Sequence, residues 1–239
     1  MSTNQRKIGG DNNKRGNRYE DFFVVFRLIE YSPNVITNGQ EVRLKEQAAC
    51  PVDDLLVVTP TSHRFHQLKA HKTITWSARD HKLTRKFLAQ KAACQQIGQA
   101  CELIVVVAEP AREKSLNANM PAELADCMTV LLFPELRQPS QLVRRQDVND
   151  ALGEVYAGRR VSVSDYQEIV RALHAAWIEH TPDSDGFCVL GEVIKTIRQW
   201  GVGRLRCDWS DKPEGWEEAA AILSETPGLT WWVDRGYFD

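Results

Sequence analysis

The chain has 239 residues, is 43% hydrophobic and carries a formal net charge of −2 at pH 7, enough apolar material for one good core and a small second domain. The near-zero charge neither favours nor excludes a nucleic-acid partner, because a bound polyanion meets a local field and not a whole-chain sum. No segment approaches the roughly 18 apolar residues of a membrane span, and the start lacks the apolar run of a signal peptide, so the expectation is a cytoplasmic protein with no membrane partner.

Residues 1–17 are rich in Gly, Asn, Arg and Lys, a composition that does not support packing and predicts a flexible N-terminal arm. From Tyr19 the pattern changes. Phe22, Phe23, Val25, Phe26, Leu28 and Ile29 recur near helical spacing through Tyr31, and Ser32-Pro33-Asn34 reads as the stop. Three short segments follow, Glu41–Gln47, Asp54–Val58 and Arg64–Lys69, separated by Pro51 and by Thr59-Pro60-Thr61-Ser62, and they predict an antiparallel meander. Thr84–Ala100 has no proline and keeps Phe87, Leu88, Ala92 and Ile97 on one side, as a helix would.

The unbroken apolar run within Glu102–Ala108 predicts a strand covered on both faces. Pro110–Pro121 is long and polar and reads as a mobile loop, followed by a short helix at Ala122–Cys127 and a second buried strand at Thr129–Phe133. Beyond Pro139 the pattern is mainly helical, with helices expected at Arg145–Tyr156, Ser164–His180 and Val189–Trp200. A helix at Gly215–Ser224 and a β-element at Leu229–Tyr237 close the chain, resembling a small winged-helix-like or docking module. The expected class is α/β with a central mixed sheet, followed by a mainly helical C-terminal domain.

Cys50, Cys94, Cys101, Cys127, Cys188 and Cys207 show no C-x-x-C spacing and read as reduced, buried residues rather than a zinc ribbon or disulfide framework. His63, His66 and His71 match no zinc pattern, and His66 should point away from Gln67 on an alternating strand. Neither a phosphate-binding glycine loop nor a G-x-S-x-G nucleophile elbow occurs. Trp177, Trp200, Trp209, Trp216, Trp231 and Trp232 concentrate near the chain end, where core packing and a partner interface are both open readings.

Charge is segregated. Between Thr59 and Lys91 the basic residues Arg64, Lys69, Lys72, Arg79, Lys82, Arg85, Lys86 and Lys91 face the single acid Asp80, whereas the chain end is acidic. Lys72, Lys82, Arg85 and Lys86, with Lys91, are the candidates for contacting nucleic-acid phosphates. A hairpin turning at 59–62 puts Val58 opposite His63 and Asp54 opposite Gln67, with Lys69 on the face of Gln67. A slip of one residue would bring in Asp53 instead. An Asp carboxylate and a Gln carbonyl are hard oxygen donors suited to Mg²⁺, and a neighbouring lysine can orient water and stabilise charge on a phosphorane.

The series Glu20 on a helix, Asp54, then Gln67-x-Lys69 across a hairpin resembles the PD-(D/E)xK nuclease superfamily in its Q-x-K variant. More closely, Gly16-x-x-Tyr19-Glu20-Asp21-Phe22, Val52-Asp53-Asp54-Leu55, Phe65-His66-Gln67-Leu68-Lys69 and Trp76 look like the double-stranded DNA endonuclease domain of CD-NTase-associated (CBASS) effectors. Related nuclease domains serve other anti-phage systems, including Lamassu and those paired with HerA-type ATPases. The resemblance covers about residues 9–137.

It implies a restriction-endonuclease-like αβββαβ core at 18–138, followed by a helical, partner-docking domain at 139–239. By the same resemblance Glu20 is the helix-borne acid, Asp54 (or Asp53) the principal ligand of Mg²⁺ or Mn²⁺, Gln67 the carbonyl ligand and Lys69 the catalytic lysine. Gln67 departs from the usual acid and removes one negative charge, which Glu20 or the second aspartate must supply. The implied activity is metal-dependent cleavage of double-stranded DNA by a gated defence effector, self-associating or paired with a sensor or ATPase subunit. The alternatives are a non-catalytic DNA-binding or scaffold subunit, and a nuclease directed at RNA.

Overall fold

The computed structural model describes residues 3–70, 74–76, 83–98, 100–155, 162–182, 186–202, 233–234 and 237–238, with backbone alone at 3–17 and in the last two segments. Strands β1 (Arg43–Glu46), β2 (Leu55–Val58), β3 (His63–Lys69), β4 (Cys101–Val107), β5 (Met128–Leu132) and β6 (Cys188–Val189) form one mixed sheet. Their order is β5-β4-β3-β2-β1-β6. The first three strands are the expected antiparallel meander, and the tight turn after Val58 sets Val58 opposite His63 and Leu55 opposite His66, the register the turn residues predict. That turn is tied by the Thr59 amide donating to Ser62 O at 2.9 Å and the Ser62 amide donating to the Thr59 hydroxyl at 3.1 Å.

β4 runs parallel to β3 and β5 runs parallel to β4. Parallel neighbours need crossovers, supplied by α2 (Leu83–Gln96) and by α3 (Pro110–Ala118). Alternation divides the sheet between two cores. Leu56, Val58, Phe65, Leu103, Val105 and Val107 pack under α2 with Leu83 and Phe87. Leu44, Leu55, Val57, Leu68, Ile104 and Val106 pack against the long first helix and the C-terminal helices.

Helix α1 spans Thr3–Asn38, beyond the expected limits at both ends. The residues expected as a flexible arm are helical from Thr3, because a helix nucleated by the packed segment propagates at little cost, and glycines weaken it by about 1 kcal/mol each without ending it. At the other end Pro33 lies inside the helix. An interior proline costs about 3 kcal/mol, offset in part by burial of Ile36, which contributes about 2 kcal/mol. The Ser32 hydroxyl donates to Leu28 O at 2.6 Å in this stretch.

Most of the segment read as a mobile loop, Pro110–Pro121, is instead helix α3, which ends at Ala118, with proline in its first turn and Leu116 buried on its inner side. The short helix expected at Ala122–Cys127 is a 3-10 turn at Ala122–Leu124.

After β5 come α4 (Pro139–Val143), α5 (Gln146–Val155), α6 (Val163–His180) and α7 (Leu190–Gln199). The boundary expected at 138/139 does not divide the core. Leu142, Val148, Leu152, Ile169, Leu173 and Ile194 share one apolar cluster with Phe23, Leu28 and Ile29 of α1, and β6 extends the sheet beside β1. The expected helix at Gly215–Ser224 lies outside the described residues, as do Cys207, Trp209, Trp216, Trp231 and Trp232. Of the expected terminal β-element, β7 (Val233–Asp234) and β8 (Tyr237–Phe238) pair antiparallel. The described cysteines are free thiols; Cys94 and Cys188 are buried as expected, whereas Cys50, Cys101 and Cys127 are only half-buried.

Candidate functional site

The loop between β1 and β2 brings two acids to the end of the sheet. Gln47 turns the chain with a left-handed backbone, φ 45°, and the loop closes on itself through Gln47 N to Asp54 O at 3.3 Å and Ala48 N to Asp53 O at 3.0 Å. A third tie comes from α2. Gln90, buried in the helix's apolar stripe with Leu83, Phe87 and Cys94, accepts the Val52 amide at 3.4 Å. The backbone beneath Asp53 and Asp54 is thus fixed by the sheet on one side and the helix on the other.

Asp54 reaches across to β3. Its Oδ2 accepts the Leu68 amide at 2.6 Å and lies 3.5 Å from Lys69 Nζ, and both side chains are about one-fifth exposed, at 20% and 22%. Gln67 is almost wholly buried, and its Nε2 has no partner among the described residues. Its Oε1 accepts from Lys86 Nζ at 3.3 Å, and the same ammonium lies 2.9 Å from Asp53 Oδ1. Lys86 therefore sits between two hard oxygen donors.

Glu20 joins from α1 through its field. Burial raises its carboxyl above the ordinary value, Asp54, Asp21 and Asp53 raise it further, and Lys69 opposes them. The helix is held by Tyr19, whose buried hydroxyl donates to Phe133 O at 2.9 Å. The sequence-expected residues Asp53, Asp54, Gln67 and Lys69 are consequently brought to one place, and Glu20 is near enough for their charges to act on it without joining them in a metal-holding cluster. His66 points the other way, as alternation requires: its Nδ1 is 3.1 Å from Leu55 O and its ring lies edge-on to Phe23. Burial pushes it well below the ordinary imidazole value, so it stays neutral.

The expected phosphate contacts are placed less uniformly. Lys72 and Lys82 lie outside the described residues, and Arg85 is exposed on α2. Lys86 is turned into the acidic site rather than outward. Lys91 is committed to Asp126 at 2.7 Å and to Glu123 O at 2.7 Å, and Arg64 to Glu102 at 3.0 Å.

Two residues of this neighbourhood were not among the expected ones. Gln90 is the polar interruption of an otherwise apolar helical stripe, which is the signal that marks it. Glu46 continues the inward alternation of Val42 and Leu44 at the end of β1, where an acid is out of pattern. Burial, then Asp21 and Glu20, push its carboxyl up to about 7, partly opposed by a hydrogen bond with Trp177.

Among the described residues, no three His, Cys, Asp or Glu side chains stand close enough to hold a metal ion by themselves. Asp53, Asp54 and Gln67 nevertheless supply hard oxygens, and the Lys86 ammonium takes the place a cation would occupy between two of them. The donor set fits Mg²⁺ or Mn²⁺ once that ammonium is withdrawn. No helix among the described residues is long and apolar enough to cross a membrane.

No family model matches this sequence, and no curated protein matches it. Among solved structures, the chain is similar to the Acinetobacter baumannii Cap4 SAVED/CARF-domain containing receptor with the cyclic trinucleotide 2'3'3'-cAAA, at 14% identity and a TM-score of 0.46. The match covers 76% of this chain and 44% of that one, so this chain spans less than half the receptor chain's length.

Proposed function

We propose that this chain is a divalent-cation-dependent endonuclease that hydrolyses phosphodiester bonds of double-stranded DNA, and that it serves as the gated effector of an anti-phage defence system. The observation that carries the reading is the meeting of Asp53, Asp54, Gln67 and Lys69 at one end of the β2–β3 hairpin, with an ammonium seated between the Asp53 and Gln67 oxygens. The order helix, three antiparallel strands, helix, parallel strand supports a restriction-endonuclease-like core. The defence role and the gate, by self-association or a sensor or ATPase subunit, rest on the sequence resemblance.

In this reading Asp53, Asp54 and Gln67 hold Mg²⁺ or Mn²⁺, with Glu20 supplying negative field behind them. When bound, the ion polarises the phosphate and lowers the pKa of water. Asp54 is held in place by the Leu68 amide, and it in turn positions Lys69, which orients the attacking water and offsets charge developing on the phosphate. The buried Gln67 amide contributes a neutral oxygen, so the site carries less negative charge than one built on acids alone.

A second reading, a non-catalytic DNA-binding subunit, is favoured by one observation: each aspartate already faces an ammonium, Asp53 with Lys86 and Asp54 with Lys69, so charge is balanced without a metal. Relaxation and linearisation of supercoiled plasmid in Mg²⁺ or Mn²⁺ separates the two. The nuclease reading expects cutting that is lost in Lys69→Ala, in the free chain or after forced self-association. Salt-dependent DNA binding with no cleavage in any of these conditions selects the binding subunit, and preferential cutting of RNA overturns the DNA assignment. A monomeric chain cutting at full rate without a partner would remove the gate.

A further inference from the structure

On α1, residues 18, 21, 22 and 25 form one helical face, and together with α6 that face lines a cleft of about 320 Å³. Its apolar lining comes from Phe22, Val25, Val170 and Ile178. Ile178 is 63% exposed and so stands at the open side of the cleft. Its rim is cationic: Arg18 stands on α1, Arg171 on α6, and Arg137 on the turn that leads into α4. Asp21 is the acid among the lining residues; burial raises its carboxyl and His174, which also lines the cleft, opposes that shift. Arg18 has a distant acid partner in Glu135 at 3.9 Å, and Arg171 lies 3.5 Å from the neutral Gln167.

We infer that this cleft binds a small organic anion, an apolar ring or chain of about mononucleotide size bearing a phosphate or carboxylate. The volume lies near the lower end of small-molecule sites, which run from about 300 to 1,000 Å³. The apolar lining would take the ligand's body, while arginines contributed by three segments suit an anionic head with several oxygens. A long DNA strand would use the arginines but leave the apolar lining empty, so the small ligand accounts for more of what the cleft contains. The inference stands apart from the nuclease reading, since it is read by binding and not by cleavage.

The probe is naphthyl phosphate, titrated calorimetrically into the full chain, with naphthol and inorganic phosphate as comparators. Saturable binding is expected for naphthyl phosphate, with each comparator about tenfold weaker or worse. Arg137→Glu and Arg171→Glu, both on exposed positions, are each expected to weaken it by about tenfold. Ala175→Trp, also at an exposed position of α6, fills the cleft and is expected to abolish binding while circular dichroism and the unfolding midpoint stay as in the wild type. No saturable binding to the wild type by about 5 mM overturns the inference. So does inorganic phosphate binding as tightly as naphthyl phosphate, or a folded Ala175→Trp that binds normally. If the charge reversals weaken only duplex DNA, the arginines are a backbone-contact strip and the inference fails.

Discussion

Glu46→Gln tests the electrostatic description of the site without touching the residues proposed to do chemistry. Glu46 holds its proton up to about 7, against an ordinary carboxyl value of 4.5, chiefly because it is buried and then because Asp21 and Glu20 stand near it. The sign follows from proton counting. Between about pH 4.5 and 7 the native state binds more protons here than the unfolded chain, so stability falls as pH rises through that window. At about 1.4 kcal/mol per pH unit the whole effect is at most roughly 3 kcal/mol, and partial exposure reduces it to about 1–2 kcal/mol. Glutamine keeps the shape and the oxygen that accepts from Trp177 but cannot ionise. Urea unfolding of both proteins from pH 4.5 to 8.5 should therefore show equal stability at the acid end and a Glu46→Gln advantage of about 1–2 kcal/mol at pH 8. Glu20 and Asp21 shift in the same direction and are present in both chains; only their repulsion with ionised Glu46 differs between them, and it favours the variant at high pH as well. A gap that does not vary with pH, or a wild type that gains on the variant as pH rises, would refute the reasoning.

Phe87→Ala should cost about 3–5 kcal/mol in denaturant unfolding, because the ring is fully buried beneath α2, edge-on to Trp76, and its removal leaves a cavity. A loss under about 1 kcal/mol would mean that α2 is not packed as described. Tyr19→Phe should cost about 1–2 kcal/mol, since it deletes the buried donor to Phe133 O and leaves that carbonyl unpaired; an unchanged unfolding midpoint would contradict that hydrogen bond.

What was legible in the sequence is what short-range pattern controls. Thr59-Pro60-Thr61-Ser62 marks the turn, while the register stayed open to a one-residue slip in sequence; the structure adopts the register with Val58 opposite His63, which brings Asp54 toward β3. The apolar runs of β4 and β5 announce strands buried on both faces. Tertiary packing overrode local signals elsewhere. Ser32-Pro33-Asn34 reads as a stop, yet α1 continues because Ile36 finds a place in the core. Pro110–Ala118 reads as loop, yet a single buried contact at Leu116 and a proline-started turn make it a helix. The site was legible in its residues and not in its wiring: Lys86 lies 19 positions beyond Gln67, and only the packing of α2 on the sheet brings its ammonium between two acceptors. Glu46 was hidden for the same reason, since its environment comes from α1 and α6 rather than from its own strand.

The double placement of Lys86 joins two expectations that the sequence kept apart, a phosphate contact and a cation site. Its side chain is 38% exposed and that of Asp53 43%, so the pair is worth at most about 1 kcal/mol and can be exchanged at little cost. On the proposed reading, an arriving DNA phosphate offers the ammonium an equivalent partner, and the Asp53 and Gln67 oxygens become available to a divalent ion. DNA and metal should then bind cooperatively, each strengthening the other by the same factor. Lys86→Met removes the competitor while keeping an apolar stem of similar length. Calorimetric titration with Mn²⁺ should show wild-type affinity rising about fivefold or more when a nonhydrolysable phosphorothioate duplex is present. In Lys86→Met the metal should bind more tightly than in the free wild type and gain less from the duplex, with stability changed by less than about 1 kcal/mol. If the variant binds Mn²⁺ no better than the wild type, the ammonium is not holding a metal's place, and the Asp53–Lys86–Gln67 contact is a structural pair of the kind the binding-subunit reading requires.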